Sequence, residues 1–390
     1  MTVSRLRDIP GIGVNEVGDR ADAAHDPQML RLENLDTDLA PPAIAIEVTR
    51  RAATDDDANS YLPFEGRRAL RAAAAAHVSA IAGVEYDPVG QCVSVAGGLN
   101  GILNALLATV EPGQEVVIAD PIYAGLINRI RLAGGIPRHV RARPGADGWH
   151  TDPDELGAAI GPATAAVLLM GPAMPTGALL EPAHLDAVAA AVARRHDILV
   201  IYDAAMERIR FDGGLPLHPA RHPGLADRTI TVGSASKELR MIGWRVGWVT
   251  GPRRIMADIA LVGLTNVVCQ VGIAQQAVAA ALTAPDAAAD MAAATATWQR
   301  RCAVIEEQLA GYPLVRPGGG WSLLVDTAPL GLSPAQASER LFELGRVAAT
   351  PMDGWGPSGG SYLRLVFANE PVERLADLRS RFDAALGGPA

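Results

Sequence analysis

Lysine is almost missing from this sequence. Of the 34 lysine and arginine residues together, only Lys237 is a lysine. Arginine stays charged at any working pH and cannot act as an amine nucleophile, whereas lysine can once its pKa is lowered. The lone lysine is therefore present either by chance or because arginine cannot replace its amine chemistry.

Other absences limit the class of protein. The three cysteines are far apart and lack metal-ligand spacing, which indicates a reducing compartment and no disulfide framework. The sequence has no run of about 18 apolar residues, and residues 1–27 are polar without an apolar signal core. We therefore expect a cytoplasmic protein with no membrane partner. The net charge of −9 argues against a nucleic-acid partner.

The order of apolar segments predicts an α/β domain. A chain of 390 residues is too long for one compact core and fits two domains. Alanine-rich helical stretches, such as residues 101–110 and 182–195, alternate with short apolar runs, which favours a mainly parallel sheet with helices on both faces. Ligands of such sheets bind at the carboxyl ends of the strands. The apolar runs are residues 92–96, 115–119, 165–170, 198–202, 229–232 and 246–250.

The pattern changes after about residue 275 and predicts a smaller α+β domain. Helical signals at residues 273–309, 333–344 and 371–386 surround apolar runs at residues 321–325 and 363–367. The first 30 or so residues resemble an extended arm. We therefore predict three parts: an N-terminal arm with part of the small domain, a large cofactor-binding domain and a C-terminal small domain. Their bounds are residues 1–45, 46–275 and 276–390.

The lone lysine follows one of the apolar runs, with hydroxyl groups before it and an arginine after it. Residues 234–237 read S-A-S-K, and residues 243–248 read G-W-R-V-G-W. This setting suits a carbonyl cofactor that carries a phosphate. Lys237 would form the Schiff base while Ser234, Ser236 and Arg245 hold the phosphate.

The pattern S-x-S-K followed by G-W-R-x-G-W resembles the lysine motif of the class I/II aminotransferases, which are fold-type I pyridoxal 5′-phosphate (PLP) enzymes. The resemblance extends over roughly residues 30 to 385, with six landmarks in the family's order. It implies PLP as the cofactor and the PLP-dependent transferase fold type I. That fold has a large domain with a mainly parallel seven-stranded sheet flanked by helices, and a smaller α+β domain.

The resemblance also assigns roles around the cofactor ring. Asp203 ends an apolar run, and the family's aspartate at this place pairs with the pyridinium nitrogen, so that the ring can accept carbanion electrons. Gly98 and Leu99 open a helix whose backbone N–H groups bind phosphate. The family usually has a hydroxyl or a lysine where this chain has Leu99. Tyr123 matches the aromatic residue that stacks on the ring.

Two further landmarks imply a substrate contact and an assembly. Tyr61 begins a segment that resembles the family's Y-x-P-x-x-G-x-x-x-L-R, whose tyrosine reaches the phosphate of the neighbouring subunit. This implies a homodimer with shared active sites. Arg364 matches the strand arginine that binds the α-carboxylate of an amino-acid substrate, and its planar fork suits a carboxylate.

The chain departs from the family at two positions. Met174 stands where the family has an asparagine and Met206 where it has a tyrosine, both of which bond the phenolic oxygen of the cofactor. Methionine has no donor, so the phenolate is destabilised and the lysine–cofactor imine should keep its proton to higher pH. The change is either neutral, with compensation by another group, or the sign of an altered reaction. The family's N-terminal glycine is also not evident, and residues 34–36 stand near its expected place.

These features leave several functions open. The first is an aminotransferase of specialised or amino-acid metabolism, in which Lys237 moves the α-proton and the amino group passes to a 2-oxo acid. The second is a non-transaminating PLP enzyme on the same fold, such as a β-eliminating C–S lyase or a decarboxylative or oxidative deaminase, and Met174 and Met206 motivate it. A PLP-binding sensor domain of a transcription regulator and a scaffold without cofactor are the remaining alternatives.

Overall fold

The computed structural model of the chain describes residues 3, 6, 7, 9 and 13–388. The α-helices of this part are α1 Val14–Ala24, α2 Ala43–Ala52, α3 Arg68–Ala82, α4 Gly98–Thr109, α5 Ala124–Leu132, α6 Pro153–Ala159, α7 Pro182–Val192, α8 Arg253–Asn266, α9 Gly272–Thr283, α10 Ala287–Gln308, α11 Pro334–Arg340, α12 Val372–Leu375 and α13 Leu378–Leu386.

The β-strands of the described residues fall into three sheets. They are β1 Leu30–Arg31, β2 Cys92–Val95, β3 Glu115–Asp120, β4 Ile136–Gly145, β5 Gly148–Thr151, β6 Thr164–Met170, β7 Leu199–Asp203, β8 Thr229–Ser234, β9 Gly247–Thr250, β10 Leu314–Val315, β11 Ser322–Asp326, β12 Val347–Ala348, β13 Thr350–Pro351 and β14 Tyr362–Val366.

The largest sheet has eight strands in the order β2-β9-β8-β7-β6-β3-β4-β5. The five strands from β8 to β4 in this order pair in parallel. Strand β9 is antiparallel to both neighbours, and β5 is antiparallel to β4. Strands β6, β7 and β8 are buried along almost their whole length because helices cover both faces of the sheet, as parallel sheets require. The predicted α/β fold with a mainly parallel sheet is therefore confirmed.

The sheet has one strand more than the seven that the resemblance implied. All six apolar runs form strands, whereas β4 and β5 have no such signal. In β4 only Val140 and Ala142 are buried, and polar residues alternate with them at the exposed end of the sheet. Strand β5 then pairs with β4 as a hairpin at this edge. An edge strand need not be continuously apolar, and this is why the sequence pattern missed the pair.

A four-stranded antiparallel sheet forms a second module, in the order β10-β11-β14-β13. Its core contains large aromatic side chains that are completely buried, among them Trp298, Trp321 and Phe382. Strand β1 pairs in parallel with β12, so the N-terminal segment packs on the C-terminal module. On this packing we retain, as a proposal, the division into residues 1–45, 46–275 and 276–390.

Part of the N-terminal segment is helical, which corrects the expected extended arm. Residues 14–24 form α1, with Val14, Gly18 and Ala21 buried. These positions recur at the spacing i, i+4 and i+7 of one helix face. On the other side, the Arg20 guanidinium lies 4.0 Å from the centre of the Phe342 ring and pairs with Glu339. This packing with the C-terminal module stabilises the helix.

The parallel strands end at one edge of the large sheet, and the predicted site residues follow at that edge. Tyr123 comes after β3, Met174 after β6, and Met206 after β7, while Asp203 and Ser234 are the last residues of β7 and β8. Among the described residues, no helix combines the length and the apolarity that a membrane crossing requires.

Candidate active site

A cavity of about 360 Å³ lies at this edge, between the large sheet and the C-terminal module. All of the predicted site residues except Tyr61 line it. They are Gly98, Leu99, Tyr123, Met174, Asp203, Met206, Ser234, Ser236, Lys237, Arg245 and Arg364. Residues that are distant in the sequence are thus brought together at the place where ligands of parallel sheets bind.

Lys237 extends into the cavity three residues after the end of β8. Its Nζ donates a hydrogen bond to the backbone carbonyl of Leu35 at 2.7 Å and lies 4.8 Å from the centre of the Trp321 ring. Burial lowers the pKa of this amine to about 7; the charge of Asp36 opposes the shift, and that of Arg364 reinforces it. A substantial fraction of the amine is therefore unprotonated at neutral pH and able to attack a carbonyl.

Asp203 is the acidic group of the cavity. Burial raises the pKa of its carboxyl to about 6, while the backbone N–H of Ala205, at 3.1 Å, and the charges of Arg129 and Lys237 hold it down. At neutral pH the carboxylate is therefore mostly ionised, even though Asp203 is buried, with only 7% of its surface exposed. A buried anion of this kind favours a protonated ring nitrogen beside it.

Hydroxyls, a guanidinium and a helix N-terminus meet at one end of the cavity. Arg245 Nη1 donates to Ser236 Oγ at 3.2 Å, and the backbone N–H of Ser236 donates to Ser234 Oγ at 3.2 Å. The first turn of α4 lies against the same guanidinium: a Cβ on Gly97 would stand 2.6 Å from Arg245 Nη2. Backbone N–H groups at a helix start bind anions, so these groups form a phosphate cradle.

Arg364 is the cation on the side of the C-terminal module. It is only 1% exposed, and its Nη2 donates to the carbonyl of Glu33 and to Thr350 Oγ1. Its Nε is buried without a partner among the described residues. Burial lowers the pKa of the guanidinium to about 10, so it remains charged. Arg364 can therefore donate to a carboxylate that enters the cavity.

The residues present fit a cofactor with an aldehyde, a ring nitrogen and a phosphate. The low-pKa amine, the buried carboxylate and the phosphate cradle are the complementary groups, and Gly97 lacks the Cβ that would fill the cradle. Among the described residues, no group of three or more histidine, cysteine, aspartate or glutamate side chains could hold a metal ion.

The family model described as aminotransferase class I and II matches residues 29–382. The chain belongs to this family. An arginine–pyruvate transaminase of Pseudomonas aeruginosa is 32% identical over 88% of this chain and 87% of that protein. The aspartate/prephenate aminotransferase of Thermus thermophilus is 31% identical over 90% of this chain and 89% of its own length.

Solved structures confirm the fold. The N-succinyldiaminopimelate aminotransferase of Mycobacterium tuberculosis superimposes with a TM-score of 0.89 at 30% identity, over 98% of this chain and 99% of that chain. The protein is a PLP-dependent class I/II aminotransferase of fold type I. The roles of individual residues in this aminotransferase are proposals that rest on the geometry of the cavity.

Tyr123 and the methionines form the apolar walls of the aminotransferase cavity. The Tyr123 ring packs edge-on against Trp355, with centroids 5.4 Å apart, and its backbone N–H donates to the carbonyl of Met174. Met174 and Met206 are buried and line the cavity together with Met170, whose sulfur accepts the backbone N–H of Met174 at 3.0 Å. None of the three side chains offers an N–H or O–H donor.

The sequence did not assign a role to several residues that line the cavity. Val14 and Asn15 come from α1, Asn34 and Leu35 from the segment after β1, and Met170 from the end of β6. Leu35 contributes through its carbonyl, a group that every residue has, so its identity carried no signal. Only the helical spacing of α1 was detectable, because Val14 starts its buried face.

Tyr61 is the one predicted residue that the structure places elsewhere. Its side chain is 83% exposed, and it does not line the cavity. The predicted contact with a phosphate requires a second subunit, so within one chain this role stays a prediction.

We expect Gly97→Ala to weaken PLP binding by about ten-fold or more. Its new Cβ would displace the Arg245 guanidinium from the phosphate cradle, and charge-assisted hydrogen bonds contribute about 1.5–3 kcal/mol. Gly97 has φ +84° and Gly113 has φ +89°, but a Cβ on Gly113 meets no atom within 4 Å. The measurement is the PLP dissociation constant of each variant.

Gly113→Ala is the control, because it also places a side chain at a positive φ but does not touch the site. Both variants should lose stability, and only Gly97→Ala should lose cofactor. Equal PLP affinity in the two variants would contradict the prediction that the groups around Arg245 bind the phosphate.

Proposed function

We propose that this aminotransferase moves the amino group between an α-amino acid with an uncharged side chain and a 2-oxo acid, in specialised or amino-acid metabolism. The observation that carries the proposal is the position of the only lysine. Lys237 lies in one cavity with a buried carboxylate, a phosphate cradle and a buried arginine, and burial brings its pKa to about 7.

Each end of the cavity has a proposed task. Ser234, Ser236, Arg245 and the backbone N–H groups of Gly98 and Leu99 hold the phosphate of PLP. Asp203 pairs with the ring nitrogen and keeps it protonated. Tyr123 covers the ring, and Lys237 is the covalent anchor.

The residues around the substrate control its proton and its orientation. Bound PLP supplies an aldehyde that condenses with amines and a ring that accepts the electrons left at the substrate α-carbon. With PLP bound, Lys237 Nζ would take the proton from that carbon, hold it, and give it back in the second half of the transfer. A pKa near 7 lets the same amine serve as base and then as acid. Arg364 fixes the α-carboxylate, so that the α-hydrogen stays within reach of Lys237.

An uncharged substrate side chain follows from the walls of the cavity. In the described part of this chain, the charged lining residues are Asp203, Lys237, Arg245 and Arg364, and all four have tasks with the cofactor or the carboxylate. Most of the remaining lining is aliphatic or methionine. A charged side chain would be buried there without a counter-ion, which costs several kcal/mol.

A second function stays open because of Met174 and Met206. Both line the cavity where the family's donors to the phenolic oxygen are expected, and neither can donate. The electrons left at the α-carbon could instead expel a β-substituent, as in a C–S lyase, or, with dioxygen as the oxidant, the outcome could be a decarboxylative or oxidative deamination.

The function is tested by incubating the purified protein with a panel of amino acids, with and without pyruvate. We expect a yellow protein, borohydride labelling of the peptide that contains Lys237, and a 2-oxo acid product only when pyruvate is present. The kcat/KM should be about ten-fold or more higher for leucine or methionine than for aspartate or arginine, because one unpaired buried charge costs at least 1.4 kcal/mol.

The outcomes of this panel separate the two functions. Ammonia, a thiol or carbon dioxide released without pyruvate would establish the second function. Borohydride labelling of another peptide would contradict the proposal that Lys237 is the covalent anchor of PLP. Lys237→Ala, which should show neither colour nor product, is the control.

Arg364→Ala should weaken amino-acid binding by roughly 30-fold or more with PLP still bound. The reason is that truncating one partner of a buried arginine–carboxylate contact costs about 2–5 kcal/mol. The measurement is the dissociation constant of the amino acid, read from the visible spectrum.

Arg301→Ala is a matched control for this variant. Arg301 is also buried in the C-terminal module, but it pairs with Asp38 and does not line the cavity. It should lower stability and leave amino-acid affinity unchanged. If Arg364→Ala behaves like this control, the carboxylate is bound elsewhere.

We propose that the aminotransferase works as a homodimer. A Cβ on Gly272 would lie 2.0 Å from the carbonyl of Ala58, so the segment around Tyr61 packs against the start of α9. Large apolar side chains on these two segments are exposed, namely Tyr61, Phe64, Val268 and Val271. Exposed apolar residues clustered in this way are typical of an interface.

The chain should sediment at twice its mass of 40.7 kDa. Val271→Asp should weaken the dimer by about ten-fold or more, because a buried unpaired charge costs several kcal/mol. Leu215→Asp is the control, since Leu215 is 82% exposed and lies on a different loop. A monomer with full activity would rule out the shared site. We also propose a cytoplasmic location without nucleic-acid or membrane partners, and cell fractionation checks it.

A further inference from the structure

Arg129 is a partly buried cation behind the wall of the active site, and no function described so far uses it. It lies on α5, four residues after Gly125, and it does not line the cavity. Its Nε donates to the backbone carbonyl of Leu99 at 2.9 Å, and its Nη1 donates to the carbonyl of Gly125 at 2.7 Å. Burial lowers the pKa of this guanidinium.

The two carbonyls belong to segments that contact the cofactor in the proposed function. Leu99 is in the first turn of α4, at the phosphate cradle. Gly125 follows the ring-covering Tyr123, and a Cβ on Gly125 would lie 2.3 Å from the Tyr123 ring. One planar guanidinium therefore fixes the distance between the cradle and the turn that presents the aromatic ring, a task that suits the fork of an arginine.

The same guanidinium is an electrostatic neighbour of Asp203. The groups that face this carboxylate are Arg129 from α5, Lys237 from the loop after β8, and Tyr202 and Glu207 from β7 and the turn that follows it. Burial raises the pKa of Asp203, and Arg129 opposes this more strongly than Lys237 does. Burial, reinforced by the charge of Glu238, also raises the pKa of Glu207 well above its usual range, so its charged form is disfavoured beside Asp203.

We propose that Arg129 is a positioning residue of the aminotransferase, which ties the phosphate cradle to the Tyr123 turn and keeps Asp203 ionised. This inference rests on the proposed role of Asp203 as the partner of the ring nitrogen. Arg129 contacts neither PLP nor substrate. It acts through Leu99, through Gly125 and through the field at Asp203.

The proposal is tested by PLP binding between pH 5 and 9 to chains that carry Lys237→Ala, so that neither the Schiff base nor the titration of the lysine contributes and dialysis removes the cofactor. In the chain that is otherwise wild type, PLP affinity should fall as the pH drops through the pKa of Asp203, because protonation removes the partner of the ring nitrogen. Arg129→Met removes the attractive charge, raises that pKa, and should move the fall in affinity upward by about one pH unit. At pH 8 this variant should also bind PLP at least about ten-fold more weakly, since both carbonyl bonds are lost.

Arg129→Lys separates the effect of the charge from the effect of the two hydrogen bonds to the Leu99 and Gly125 carbonyls. An ammonium keeps the charge but cannot span both carbonyls as a fork does. This variant should keep the wild-type pH midpoint and still bind PLP more weakly. Arg129→Lys also tests the proposal if Arg129→Met does not fold. Unchanged PLP affinity in Arg129→Lys would show that the two hydrogen bonds to the Leu99 and Gly125 carbonyls do not position the cofactor site. Arg131→Met, two residues further along α5, is the control and should leave both readouts unchanged.

Asp203→Asn, measured in parallel, distinguishes the failure of this proposal from that of the proposed function. If Asp203→Asn keeps the wild-type fall in affinity at low pH, the role of Asp203 is wrong whatever Arg129 does. If the fall disappears in Asp203→Asn but is unmoved in Arg129→Met, the inference about Arg129 alone is overturned. Equal losses in the Met and Lys variants at every pH overturn the electrostatic part.

Discussion

An amine must lose its proton before it can attack a carbonyl, and in this molecule the burial of Lys237 provides that condition near neutral pH. The low dielectric that lowers the lysine pKa raises that of Asp203, so one environment brings a base and an acid toward the same pH range. The geometry depends on the parallel sheet, whose strands β7 and β8 place Asp203 and Lys237 at one edge.

The charges around this amine explain what the cavity can accept. Among the described residues that line the cavity, Lys237, Arg245 and Arg364 are basic and Asp203 is acidic. Such a site is positive until anions enter it, and a phosphate at one end with a carboxylate at the other balances it. The phosphate and the carboxylate of the proposed function would therefore stabilise cations that are otherwise buried without counter-ions.

The sequence predicted the parts of the site that are contiguous along the chain. Lys237 with its serines, Asp203 at a strand end and Arg364 in an apolar run could be found because motif and strand signal coincide, and all three line one cavity. The fold class and its family were predictable for the same reason. Strands β4 and β5 were not, because an edge hairpin has no continuous apolar run. Arg129 could not be singled out among so many arginines, since its task depends on carbonyls contributed by α4 and α5.

Arg364 and Tyr123, the residues proposed to bind the substrate carboxylate and to cover the ring, are connected through Trp355. Trp355 lies 5.4 Å from the Tyr123 ring and 4.8 Å from the Arg364 guanidinium, and its carbonyl accepts the backbone N–H of Ile122. Three residues later, Ser358 donates two hydrogen bonds to Asp120 at the end of β3. These contacts thus fix the position of Arg364, in the C-terminal module, relative to the Tyr123 ring of the large domain.

This coupling leaves the methionine wall as the adaptable part of the cavity. Met170, Met174 and Met206 have flexible side chains without N–H or O–H donors, whereas Lys237, Asp203, Arg245 and Arg364 each make at least one hydrogen bond that holds the polar group in place. Changes in the wall can alter which side chain fits without disturbing the anchor. Met174 and Met206 bear on substrate choice and on cofactor chemistry alike, since they line the space open to a substrate side chain and stand where the family's donors to the phenolic oxygen are expected, while the proposed anchor Lys237 is a separate residue.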